Sequence, residues 1–153
     1  MFAAFRQLYD RAASWLAGRL PESVMLLFVR IALAGVFWRS GRSKLDEGSW
    51  FTISDTSYEL FRSEYAGVPL PPELATVAAT GAEHLFPALL VLGLFTRLSA
   101  FALLVMTMVI QIFVYPEAWW PVHALWVALA LVLIVRGGGL FSLDTPFAKR
   151  GRR

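Results

Sequence analysis

Glu83 and His84 stand side by side in TVAATGAEHLFPALLVLGLFTR, residues 76–97, a run whose other side chains up to Arg97 are apolar or small. A carboxylate beside an imidazole in such surroundings is suited to anchoring the polar end of an otherwise apolar ligand. Arg30 is the one cation within a second apolar run, PESVMLLFVRIALAGVFW at residues 21–38. A charged side chain at the centre of a membrane helix costs roughly 2.5–3.5 kcal/mol on insertion scales, so each is expected to face a bundle interior and seek an opposite charge. Counted from the ends of their spans at about 1.5 Å per residue, Arg30 and Glu83 both fall near mid-depth. The expected arrangement is therefore an intramembrane ion pair, Arg30–Glu83, which would either serve a site or only pin the register of two helices.

His84 lies about 100° around the helix from Glu83 and meets a different neighbour. Farther on, Thr107, Gln111 and Tyr115 recur at intervals of four and form one polar stripe, and His123 follows Pro121 by two residues. A candidate ligand pocket in the outer half of the bundle is lined by His84, Gln111, Tyr115, His123 and Ser40, with Arg39, Arg42 and Lys44 at its mouth. The same groups also suit hydrogen bonding between helices, the use that Gln111 favours. No metal site is expected: the two histidines sit at different levels, no His-x-x-His pattern accompanies them, and Met106 and Met108 point in different directions. The chain has no cysteine, which removes disulfides, thiol exchange and iron–sulfur ligation. No Ser/His/Asp nucleophile arrangement can be assembled.

The elements that must position these groups are membrane helices. Of 153 residues, 58% are hydrophobic and 16% charged, with a mean hydropathy of +0.60. The apolar residues come in blocks about as long as the roughly 20 needed to cross a hydrocarbon core. A transmembrane domain over residues 21–144 is predicted, with spans at 21–40, 73–95, 98–115 and 119–136. Pro21 suits a first helical turn, and RGGG at 136–139 closes the last span. PEAWWP, residues 116–121, reads as a break with a proline at each edge. The first span is expected to remain in the protein, because no small-residue cleavage pattern precedes the charged RSGRSKLDE.

Residues 1–20 place Phe2, Phe5, Leu8, Tyr9, Ala12, Trp15 and Leu16 opposite Arg6 and Arg11, the pattern of an interfacial amphipathic helix. In the first outer loop, Tyr58, Phe61 and Tyr65 recur at roughly helical spacing and predict a short amphipathic segment. The expected fold class is all-α, a four-transmembrane-helix bundle with that N-terminal helix and that outer segment. Nine of the fourteen cations, including those of a basic tail at 145–153, share the side of the termini. The positive-inside rule then places both termini in the cytoplasm of a multi-pass inner-membrane protein. The isoelectric point near 9.7 has the same origin, and no basic face for nucleic acid is indicated. The lipid bilayer is the first partner, and a bundle this small also leaves surface for partner subunits or a homo-oligomer.

Several motifs together resemble the DoxX family of small four-span bacterial membrane proteins. They are Arg30 within LLFVRIALAGVFWRSGRSKL, the Gly41-x-x-Lys44 close of the first span, Glu83 in AEHLFPALL, GLFTR ending at Arg97, and Ser142 to Asp144 in RGGGLFSLD. Ser40 stands where many relatives carry histidine. The resemblance implies the four-span fold and an accessory subunit encoded with redox partners, non-catalytic or auxiliary to an oxidoreductase, holding a quinone or another small apolar molecule. A membrane scaffold, or a small-solute binding or transport component without redox chemistry, is the alternative.

Overall fold

Proline, glycine and capping serine set the ends of the helices. The computed structural model describes residues 2–145. Its helices are α1 (Phe2–Leu16), α2 (Arg19–Ser43), α3 (Asp55–Ser63), α4 (Pro72–Leu92), α5 (Thr96–Phe113) and α6 (Ala124–Arg136). α3 begins at Ser54, whose hydroxyl accepts the Ser57 N–H at 3.2 Å, meeting one of the donors that a helix start leaves open. α4 begins with a proline and ends at Gly93, which adopts a left-handed φ of 67°, a conformation glycine reaches without a Cβ penalty. Leu94 and Phe95 then turn the chain straight into α5. The strand-like pairing among the described residues is an isolated antiparallel bridge, Leu45 with Ile53.

Four stretches are long and apolar enough to cross a membrane: Arg19–Ser43, Pro72–Leu92, Thr96–Phe113 and Pro116–Arg136. PEAWWP does follow the end of α5 at Phe113, and the fourth stretch begins at Pro116, three residues before the expected start at 119. Pro116 opens a 3₁₀ turn, Trp119–His123 forms a π turn, and the chain enters α6 without interruption. Pro121 has no N–H to give, but it lies in the opening turns, where helical donors lack partners in any case. The wide turn is closed by the Ala124 N–H on the Trp119 carbonyl.

The spans pack in a ring, α2 on α4, α4 on α5, α5 on α6 and α6 on α2. Leu26, Leu33, Phe37, Leu90, Leu103 and Leu133 fill its centre. Phe28, Ile31, Leu85, Leu98, Phe101, Ile112 and Leu125 point outward and are exposed. A continuous apolar coat of this kind suits lipid, whereas a soluble monomer rarely carries one. Three interior threonines satisfy their hydroxyls within their own helices: Thr76, Thr80 and Thr107 each donate to the carbonyl four residues back, at 2.7–2.8 Å. α1 packs sparingly on α2, and its Phe5, Leu8, Trp15 and Leu16 are exposed.

After α6 the segment Gly137–Thr145 closes one end of the ring. The Asp144 carboxylate accepts the N–H groups of Phe95 and Thr96, at 2.8 Å each, and so caps α5. The Leu140 N–H donates to Ser23 Oγ at 3.0 Å. Beyond Thr145, the basic tail expected at 145–153 lies outside the described residues.

Candidate functional site

Two charges of opposite sign meet inside the bundle, between the end of α2 and the middle of α4. Lys44 Nζ lies 2.7 Å from Glu83 Oε2, with the side chains 8% and 3% exposed. Burying an ion pair costs desolvation, which only close geometry and further hydrogen bonds offset. Here those bonds are present. Lys44 Nζ also donates to Ser40 Oγ at 3.0 Å and to the Ser40 carbonyl at 3.3 Å, so each ammonium proton has an acceptor. The Ser40 hydroxyl in turn donates to Glu83 Oε1 at 3.0 Å.

The backbone around this pair is held as firmly as the pair itself. The Lys44 carbonyl accepts from the Ser54 N–H at 3.0 Å, the Ser57 hydroxyl at 3.0 Å and the Ser54 hydroxyl at 3.3 Å. Gly41 permits the contact between the helices. A Cβ there would stand 2.8 Å from His84 Cε1 and 3.0 Å from Glu83 Cβ, closer than neighbouring atoms allow. Glycine at this place is a packing requirement.

The expected Arg30–Glu83 pair does not form. Arg30 is fully buried, and its guanidinium donates to three carbonyls, of Phe141 at 2.6 Å, Leu90 at 3.2 Å and Val91 at 3.4 Å. The last two belong to the C-terminal end of α4, the negative end of its dipole, which offers a cation a partner without an opposite charge. The cause is register. Ser40 faces Glu83 while Arg30 faces Leu90, so ten residues of α2, about 15 Å, separate the two levels. α4 stops well short of the start of α2, and Gly137–Thr145 fills the space below it.

The five residues expected to line one pocket are distributed over separate places. Ser40 belongs to the Lys44–Glu83 cluster. His84 turns toward α2, its Nδ1 2.7 Å from the Thr80 carbonyl and its ring edge-on to Trp38 at 5.1 Å. Gln111 and His123 bind each other, Oε1 to Nδ1 at 2.7 Å, while Gln111 Nε2 donates to the Pro116 carbonyl at 2.7 Å. That pair joins α5 to the turn before α6. Tyr115 donates its hydroxyl to Glu64, just after α3. The expected mouth also divides: Lys44 is buried, Arg42 stacks on Trp50 at 4.4 Å, and Arg39 is exposed.

Between α4 and α5, beneath α3, lies a half-open apolar cavity of about 260 Å³. Ala75, Ala78, Ala79 and Ala82 leave the room, Val105, Met106 and Val109 form the opposite wall, and Phe61 and Tyr65 cover it. Glu83 is the only charged residue on its lining. Phe61 and Tyr65 stack at 4.3 Å between ring centres. Burial, with smaller effects of Tyr115, Glu83 and Glu64, pushes the Tyr65 phenol up to about 12. A site of this construction binds an apolar body and presents one carboxylate, already paired with Lys44, to a polar group on it.

The DoxX family model matches residues 25–116, which carry Arg30, Ser40, Lys44 and Glu83. The chain belongs to the DoxX family. A relative in Haemophilus influenzae, described as an uncharacterized protein, is 32% identical over 146 residues, covering 85% of this chain and 87% of the relative. No solved structure matches. As a DoxX protein with four membrane-spanning helices, the chain is a multi-pass membrane protein in contact with the bilayer.

Two groups central to this DoxX protein escape a reading by depth and charge. Lys44 sits past the end of an apolar run, where a lysine reads as an interfacial cation. The available signal was Gly41 three residues earlier, a gap in the α2 surface on the same face. Asp144 lies in a short polar segment after the last span, and its capping of α5 depends on a contact between residues 48 and 49 positions apart. No periodicity reveals such a contact.

Proposed function

We propose that this DoxX-family protein is an accessory subunit of a membrane redox module that holds a quinone-like or similarly small apolar ligand in the α4–α5 cavity. Its place is a bacterial inner membrane, with both termini in the cytoplasm, as the distribution of cations favours. The observation that carries the reading is Glu83: a buried carboxylate, fully paired by Lys44 and Ser40, on the wall of an otherwise apolar cavity. Lys44 donates to one Glu83 oxygen, and Ser40 fixes the orientation of the other. At about 260 Å³ the cavity lies just below the roughly 300 Å³ at which small-molecule sites begin, so it suits a single ring or headgroup, with any tail left in lipid.

Organic extraction of protein purified in mild detergent, followed by mass spectrometry, tests the assignment. A quinone-class molecule at near-equal molar amount is expected from the native chain. Ala79→Leu, which fills the cavity without touching the ion pair, is expected to lose it. A native chain that supports its cellular role yet yields no such molecule would remove the ligand from the proposal and leave a scaffold or a solute-transport component.

A further inference from the structure

At the end of the bundle closed by Gly137–Thr145, a second cavity of about 680 Å³ has a different character. Arg19 from the start of α2, Arg97 from the first turn of α5 and Arg136 from the last turn of α6 converge on it. Arg136 is paired with Glu22, and both oxygens of Asp144 are taken by N–H groups of α5. Arg19 and Arg97 have no acidic partner among the described residues. Three guanidiniums against Glu22 and Asp144 leave one positive charge at this place.

Neutral donors point the same way. The N–H groups of Arg97 and Leu98 at the start of α5, and of Gly138 and Gly139 in the turn, have no backbone acceptor among the described residues. Thr96, wholly buried in the lining, keeps a hydroxyl without a partner. Free N–H groups at a helix start beside unpaired arginines form an anion site. Phe95, Leu98 and Leu140 border the same cavity and are exposed. A small inorganic anion gains nothing from these apolar groups, whereas acyl chains do.

The geometry points to a site for the phosphodiester of an anionic phospholipid, one whose headgroup carries no amine. The positive-inside rule explains why cations gather at this end of the bundle. It does not require three of them, from three helices, to share one cavity with open N–H donors.

The full chain in detergent, titrated with phosphatidylglycerol, with phosphatidylcholine of the same acyl chains, or with inorganic phosphate, tests the site by thermal unfolding and native mass spectrometry. Phosphatidylglycerol is expected to raise the unfolding temperature above the phosphatidylcholine value and to remain bound in the gas phase. Arg19→Gln and Arg97→Gln are each expected to weaken its apparent affinity about fivefold, equivalent to about 1 kcal/mol per cation. Arg11→Gln, which removes a cation of α1 outside the cavity, should leave that affinity unchanged. Arg19 is exposed at a helix start, so its variant remains readable even if Arg97→Gln disturbs the fold. Equal effects of the two lipids, or an undiminished preference in both cavity variants, would overturn the site. Stabilisation by inorganic phosphate to the same extent would reassign it to a soluble anion and overturn the lipid.

Discussion

At the scale of single residues, Glu83 is set by what neutralises it. Removing one member of a buried pair strands the other charge, so Lys44→Met or Glu83→Gln alone should cost about 3–5 kcal/mol, and the double variant Lys44→Met with Glu83→Leu should recover most of it. Denaturant titration in micelles measures both, and simple addition of the single losses would contradict the pair. Arg30→Met combined with Glu83→Gln should behave oppositely and add, since the two share no partner and lie about 10–15 Å apart along the bundle. That contrast also marks what the sequence made legible. Charge inside an apolar run identifies Arg30 and Glu83 as buried, because hydrocarbon offers no alternative. It does not identify partners, because a guanidinium can donate to carbonyls at a helix end as well as to a carboxylate, and the choice follows from a helix register that span lengths leave open.

At the scale of elements, α3 decides whether the α4–α5 cavity is covered. Aromatic spacing was enough to predict this helix, since Tyr58, Phe61 and Tyr65 need a common apolar face. Its tethers lie in pairings at long range: Ser54 and Ser57 on the Lys44 carbonyl, and Glu64 accepting from Tyr115. Tyr65 supplies a test of this cover. Its phenol holds its proton up to about 12 in the fold, whereas an unfolded tyrosine releases it near 10. Above pH 10 the unfolded chain therefore binds fewer protons than the native one, and stability must fall as pH rises from about 10 to about 12. Below 10 both states keep the proton and Tyr65 contributes no slope. Tyr65→Phe should remove this part of the alkaline decline, as read from unfolding midpoints across that range. An unchanged decline would mean that the phenol is not buried under α3.

At the scale of the whole molecule, composition alone announces the bilayer, since blocks of about 20 apolar residues have no comparable use in a domain this small. The fourth span shows where local signals mislead. Two prolines and two tryptophans mark the boundary after α5, yet the fourth span starts at Pro116 instead of 119, with a π turn absorbing Pro121. Four crossings require Ser14 on α1 and Ser63 on α3 to lie on opposite sides of the membrane. Because the chain has no cysteine, Ser14→Cys and Ser63→Cys each introduce a single reporter without background, and both positions are exposed. A maleimide that crosses only the outer membrane should label Ser63→Cys in intact cells and reach Ser14→Cys only after the inner membrane is opened. The positive-inside rule predicts this direction from the cations at Arg6, Arg11, Arg19, Arg97 and Arg136, whose transfer across the membrane is opposed. Labelling of both sites in intact cells would break the four-span topology. Labelling of Ser14→Cys alone would reverse the orientation, and would place the arginine-lined cavity in the outer leaflet.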